Sequence, residues 1–334
     1  MIRKTTLFYA AAVLTASVSL TFLSACSGND SAANIINNKT EKTSYSYNHH
    51  NYSHSNKYAE SVWDSSLIDD SRFKLNIKLT AEEERWARKN AQSLATHLKE
   101  GSAFVHYLLV ELDKKDLPVE LMAIPLIESG LNPHVKSSAG AHGPWQFMRS
   151  TGKSLGLKRT GNYDELYDFI ATTEASLDYL KYLYSELEHN WDMVAAAYNQ
   201  GEFGVKKAIR QAKARGVTEF NVKTVKLSQS AKTYIKRFHA YAALLKNPED
   251  FDLDLPVIQN RPAFKKVEVA GRISSMKKAA ELSGASIKTL KKLNAGFLSD
   301  SLKTGGDHVL LVPADKAYAL ERALASREQE SAAN

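Results

Sequence analysis

The run from Leu121 to Ile127, apolar throughout and ended by the acid Glu128, constrains this chain most. Such a stretch has to be buried. Leu121, Ile124 and Glu128 share one face of a helix, so the pattern predicts a buried helix with one carboxylate on its greasy side. Burial penalises the charged form and predicts a raised pKa, as a general acid working near neutrality requires. Taken alone, the pattern also describes the polar edge of an amphipathic helix. Pro125 removes a backbone hydrogen bond and predicts a kink beside the acid. Asn132-Pro133 predicts the end of the helix.

A Gly- and Ser-rich turn follows, passing through Gly140 and Gly143 into another short helical stretch. Glycines in such a turn let backbone approach a ligand closely. Trp145 and Met148 offer apolar contact, while Ser137 and Gln146 offer hydrogen bonds. That mixture suits a sugar, with its apolar ring faces and polar rims. A helix, a loop and a tryptophan packed in the core is the other way to read it. His134 and His142 are lone loop histidines, expected to be solvated rather than catalytic or metal-binding.

Glu128-Ser129, Asn132-Pro133, Ser137, Gly140-Ala141-x-Gly143-x-Trp145-Gln146-Phe147-Met148 and Ser150-Thr151-Gly152 together resemble the family 1 lytic transglycosylases, in their membrane-bound lytic murein transglycosylase D type. Ala197-Tyr198-Asn199-Gln200-Gly201 matches a second block of that family. Asn162-Tyr163-Asp164 and a helix from Ile170 to Leu187 lie between the two blocks, and Tyr234 fits a late family tyrosine. The resemblance covers roughly residues 100–264. Gly143-Pro144-Trp145-Gln146 replaces the commoner Gly-Leu-Met-Gln, a departure typical of the D type.

This resemblance implies a mainly α chain whose lysozyme-like catalytic domain cleaves the β-1,4 bond between N-acetylmuramic acid and N-acetylglucosamine in peptidoglycan. Glu128 would first protonate the glycosidic oxygen, then as carboxylate take the proton of the muramic acid C6 hydroxyl, closing a 1,6-anhydro ring. Ser137, Gln146, Met148, Tyr198, Asn199 and Tyr234 would line the sugar site, with Tyr198 bonded to Glu128 or to an N-acetyl group. Glycosidases usually need a second carboxylate. Asp164, Glu165, Asp168, Glu174 and Glu202 are the candidates, and each reads equally well as a cap or a solvated charge. An intramolecular hydroxyl needs no such partner, because well-oriented internal attack reaches effective molarities on the order of 10⁵ M. A hydrolytic muramidase of goose type and a non-catalytic wall-binding lipoprotein remain as alternatives. No cofactor and no metal are expected.

The 334 residues suffice for two domains plus tails. Arg3 and Lys4 precede an apolar stretch to Leu23 that reads as a secretory signal, residues 1–25. Leu23-Ser24-Ala25-Cys26 resembles a lipobox and implies lipidation of Cys26, an anchor in the membrane. Ser27 after the cysteine implies the outer membrane of a Gram-negative cell, facing the periplasm. As the chain's one cysteine, Cys26 leaves no disulfide framework. Residues 26–62, rich in Ser, Asn, His, Tyr and Lys, are expected to be a disordered tether. The catalytic domain is expected over 63–255, its core about 100–245, opening with helices near Leu67 to Lys99 and a capping box at Thr80 and Glu83.

The net charge of +7 gathers late in the chain, from Arg261 to Lys292. A basic face favours anionic peptidoglycan peptides or headgroups, and export argues against nucleic acid. A proline-bearing stretch, Leu255 to Pro262, is expected to separate the two parts. Residues 264–325 then predict a strand at Lys266–Val269, helices over Ser274–Ser283 and Ser286–Leu293, and a strand at Val309–Pro313. This βααβ order resembles a LysM peptidoglycan-binding module. Gly271-Arg272-Ile273-Ser274 departs from the usual Gly-Asp-Thr-Leu start, which leaves glycan binding and a structural role equally open. Protein partners and oligomeric state are not legible.

Overall fold

The computed structural model describes residues 60–303 and 309–333, so Cys26, the expected signal and most of the expected tether lie outside the described residues. The chain is mainly helical, with a small βααβ module at its C-terminal end. In order it forms α1 (Ala81–Glu100), α2 (Ser102–Lys114), α3 (Ala123–Ser129), β1 (Ala141–His142), β2 (Phe147–Met148) and α4 (Arg149–Ser154). Then come β3 (Arg159–Thr160), β4 (Tyr163–Asp164), α5 (Phe169–Glu186), α6 (Trp191–Gln200), α7 (Glu202–Ala214) and α8 (Gln229–Lys246). The module comprises β5 (Phe264–Glu268), α9 (Met276–Ser283), α10 (Ile287–Leu293), β6 (Val309–Pro313) and a last helix, α11 (Ala314–Ala333).

α8 is the hub, packing against α1, α3 and α6. Its Ala231, Ile235, Phe238, Ala242 and Leu245 recur at helical spacing and are all buried. α2 is buried almost all round from Phe104 to Leu112. Its Phe104 ring stacks on Phe169 of α5, with centroids 4.1 Å apart.

α1 starts with the expected capping box: Glu83 N–H donates to Thr80 Oγ1 and Thr80 N–H to Glu83 Oε2. The helices expected from Leu67 to Leu79 are absent. Short 3-10 turns at Val62–Asp64 and Asp70–Arg72 lead instead into an extended segment. Tertiary bonds outweigh propensity there, because Lys74 and Leu75 donate their N–H groups to buried Glu120 at 3.2 and 2.7 Å. The tether boundary also moves. Val62 is fully buried and donates its N–H to Ile258 O at 2.8 Å, and Glu60 O accepts from Asn260 N–H. The proline-bearing stretch therefore lies against the N-terminal segment rather than hanging between two parts, with Trp63 Nε1 donating to Pro256 O at 2.7 Å.

α3 differs from expectation at both ends. A 3-10 turn, Val119–Met122, precedes it, so Pro125 falls in the first helical turn, where its missing N–H costs little and no mid-helix kink is needed. The helix ends at Ser129 rather than near Pro133. Gly130, at φ 63°, adopts the left-handed cap and returns its N–H to Leu126 O.

In the module β5 and β6 pair antiparallel, Val267 opposite Leu310. Ser275 and Ser286 cap α9 and α10, and Gly284 ends α9. Buried Asn294 ties α10 to β6, donating to Leu290 O and Leu311 O and accepting from Leu311 N–H. α11, which alternation and helical spacing did not announce, covers the sheet with buried Ala317, Leu320 and Leu324.

Candidate active site

Glu128 lies in the last turn of α3, half-buried. Its neighbour Ser129 donates its hydroxyl to Pro144 O at 2.7 Å, which fastens the helix end to the β1–β2 hairpin. Gly130 packs against the His97 ring, and an added Cβ there would come within 2.7 Å of it. The end of α3 is thus held from two sides, and the Glu128 side chain with it.

From α8, Tyr234 donates its hydroxyl to Glu128 Oε1 at 2.7 Å. The Tyr234 ring lies nearly parallel to that of Tyr198, centroids 6.5 Å apart. Tyr198 near the end of α6 does not bond Glu128; it donates to Trp145 O at 2.7 Å, locking the hairpin onto α6. Burial pushes the Glu128 carboxyl up to about 7, against the Tyr234 hydrogen bond and the Arg237 guanidinium, which favour the charged form. Burial and then the Glu128 charge push both Tyr198 and Tyr234 well above the ordinary phenol range, so they stay neutral donors. Among the described residues, Arg237 is the charged group that acts on Glu128, and no second carboxylate does.

The other expected site residues differ in how free their side chains are. Met148 on β2 is 41% exposed, an open apolar surface. Asn199 has a buried Oδ1 with no hydrogen-bond partner. Ser137 closes its own turn, its Oγ accepting from Ala141 N–H at 3.0 Å. Gln146, held at φ 50°, donates its amide hydrogens to Val135 O and Gly143 O, so it braces the loop and has only its carbonyl oxygen to offer. Trp145 is fully buried, with Nε1 bonded to Thr173 Oγ1 at 3.0 Å; it is core, not a sugar platform. Of the two loop histidines, His134 is exposed as expected, but His142 is not. His142 is buried and its Nδ1 pairs with Tyr167 OH at 2.7 Å.

The five second-acid candidates are occupied or remote in effect. Asp164 is ion-paired to Arg149 at 2.8 Å. Glu165 accepts from Lys158 N–H, and Asp168 caps α5 and accepts from the Tyr163 hydroxyl. Glu202 is held by Tyr179, Tyr182 and Lys206. Burial raises the Glu174 carboxyl, and nothing couples it to Glu128. The sequence reading gave Arg237 no part in the site, and Ser129 none beyond its place in the Glu128-Ser129 pair. Their only signal was position: Ser129 follows the acid, and Arg237 lies three residues after Tyr234 on the same helix face. A cavity of about 720 Å³ lined by Lys74, Tyr184, Trp191, Asp192 and His239 contains none of these residues. No group of three or more His, Cys, Asp or Glu is placed to hold a metal ion among the described residues.

Comparison with known proteins matches two domain families in this chain. The transglycosylase SLT domain profile matches residues 110–221, and that of the lytic transglycosylase MltD LysM-like domain matches residues 263–329. Membrane-bound lytic murein transglycosylase D of Escherichia coli (strain K12) is 35% identical over 226 residues, 67% of this chain and 49% of the relative. This chain therefore spans about half the length of that relative. A protein of Alteromonas sp. (strain M-1) named for tributyltin chloride resistance is 30% identical over 178 residues, 50% of this chain and 86% of that one. Among solved structures, an inactive mutant of lytic transglycosylase Slt from Pseudomonas aeruginosa matches at 20% identity and TM-score 0.34, over 46% of this chain and 25% of that one. The 70 kDa soluble lytic transglycosylase from Escherichia coli matches at 28% identity and TM-score 0.31, over 39% and 22%. The chain thus carries a transglycosylase SLT domain followed by a LysM-like domain of the lytic transglycosylase MltD kind.

Proposed function

We propose that this chain is a peptidoglycan lytic transglycosylase in which Glu128 acts as both general acid and general base. The observation that carries it is a single carboxyl raised to about 7 by burial, bonded to one tyrosine and with no second carboxylate acting on it. A carboxyl with that pKa is protonated in a large fraction of molecules at neutral pH and is still a competent base after giving up its proton. Glu128 protonates the β-1,4 oxygen between N-acetylmuramic acid and N-acetylglucosamine as the C1–O bond breaks. The charge that develops at C1 is relieved by the C6 hydroxyl of the same sugar, whose proton returns to Glu128 as the 1,6-anhydro ring closes. Tyr234 and Arg237 stabilise the carboxylate between the two transfers. The unpartnered Asn199 Oδ1 is a ready acceptor for a sugar N–H or O–H, and Met148 offers apolar contact to a ring face.

Hydrolysis would require a base to activate water, and the intramolecular hydroxyl has the advantage of proximity. Lipidation of Cys26 and residence at the outer membrane, facing the periplasm, complete the proposal. The Escherichia coli relative is membrane-bound by name, and no helix among the described residues is long and apolar enough to cross a membrane. Digestion of purified murein with product identification by mass spectrometry tests the reaction. Anhydromuropeptides are expected from the wild type and not from Glu128→Gln; reducing-end muramic acid products would establish hydrolysis instead.

A further inference from the structure

The C-terminal module does not hang free of the glycan site. Its loop after α10 pairs with the β3–β4 hairpin: Asp164 N–H donates to Gly296 O at 2.8 Å, and Leu298 N–H to Asn162 O at 2.9 Å. Asn162 Nδ2 donates to Ser301 O, and Tyr163 meets Phe297 edge to face with centroids 4.7 Å apart. Tyr163 is buried in the module's own hydrophobic cluster rather than in the main core. Gly296 lies so close under that ring that a Cβ would sit 2.6 Å from it.

The clamped hairpin in turn holds the loop at the active site. Asp164 binds Arg149, the first residue after β2 and Met148. Just beyond it, Tyr167 OH pairs with His142, and Leu166 O lies where a Cβ on Gly143 would be. Pro144 and Trp145 of that loop accept the hydroxyls of Ser129 and Tyr198. A second tie runs from the module to the end of α1, where Lys292 Nζ donates to Glu100 O. Every link is a packed or hydrogen-bonded contact.

We propose that the module is a positioning brace for the Glu128 site, with Tyr163 and Phe297 as its positioning residues. This rests on the transglycosylase reading of that site. A binding module flexibly tethered to an enzyme would raise local concentration on a polymer and leave turnover of short substrates alone. A brace acts on turnover itself, because small misplacement of groups around a reacting bond is costly.

The test compares wild type, Phe297→Ala and the conservative Phe297→Leu in three measurements. On short soluble muramyl–glucosaminyl oligosaccharides, kcat of Phe297→Ala is expected to fall about tenfold with KM little changed, Phe297→Leu recovering most of the loss. Binding to insoluble murein, measured by co-sedimentation, is expected to stay within twofold of wild type. Amide hydrogen exchange across 141–149 is expected to quicken in Phe297→Ala while α1 and α8 keep their protection, which excludes general unfolding. Unchanged turnover of short glycans, or unchanged exchange in that loop, overturns the brace. Exchange is read without any catalysis, so a wild type inactive on every glycan would sink the transglycosylase reading and leave the brace to be decided by exchange alone.

Discussion

Replacing Glu128 by Gln should stabilise the folded protein at alkaline pH while abolishing its activity. The folded carboxyl has a pKa of about 7 against an ordinary 4.5, so the folded state holds this proton more tightly than the unfolded chain does. The stability tied to that proton is fully present below pH 4.5 and is lost as pH rises through 7. A shift of about 2.5 units at 1.36 kcal/mol each amounts to about 3 kcal/mol at pH 8. Gln carries no charge to desolvate and still offers an oxygen to the Tyr234 hydroxyl. Urea unfolding of both proteins at pH 4, 6 and 8 isolates the effect, since every other titrating group is common to the pair. Glu128→Gln should match wild type within about 0.5 kcal/mol at pH 4 and exceed it by up to about 3 kcal/mol at pH 8, equivalent to roughly 6–12 °C in Tm. Equal stability at all three pH values, or a wild type favoured at pH 8, would refute the desolvated carboxyl and with it the acid–base role built on it.

Three further outcomes follow from particular contacts. Tyr234→Phe removes a hydrogen bond to the charged form of Glu128, so its pKa should rise by about one unit, and the alkaline limb of the pH–rate profile should move up with it; a limb that stays put would mean Tyr234 does not tune the acid. Burial disfavours charge on His239, but its bonds to Asp192 and Glu83 outweigh that and raise it to about 9, while burial of Glu83 is outweighed by His239 and Thr80, lowering Glu83 to about 2. Glu83 stabilises above pH 4.5 and loses this as pH falls through 2; His239 stabilises below 6.5 and loses it as pH rises through 9. His239→Gln should therefore cost about 3 kcal/mol in urea unfolding at pH 6, where both contributions are in force, and a loss under about 0.5 kcal/mol would contradict the network. Gly143→Ala needs φ 76° and places a Cβ 1.7 Å from Leu166 O, so it should cost about 3 kcal/mol or more and quicken exchange in the 141–149 loop; a neutral effect on Tm would show that this close approach is not needed.

Much of the chain was legible because local rules agreed with the fold. The apolar run ending at Glu128, the box at Thr80 and Glu83, and the βααβ order after Phe264 each depend on periodicity or on a side chain reaching its own backbone. Failures came where a distant group decided. Residues 73–79 are extended because buried Glu120 takes their N–H groups, and nothing in their own sequence says so. Trp145 reads equally as a sugar contact or as core, and only its enclosure with Thr173 decides for the core.

The sequence by itself determined that a carboxylate closes a buried apolar run on a helix, and that a small βααβ module follows. Motifs carry that information because they constrain residue type and spacing. Only the tertiary structure decided which tyrosine serves the acid. Tyr198 was expected to bond Glu128 or a sugar N-acetyl group, yet its hydroxyl satisfies the Trp145 carbonyl, and Tyr234 from α8, 106 residues after Glu128, bonds the acid. It also decided that the module clamps the hairpin beside the site. Hydrogen-bond partners and desolvation are set by which helices pack together, so the pKa of Glu128 belongs to the assembled fold and not to any segment of it.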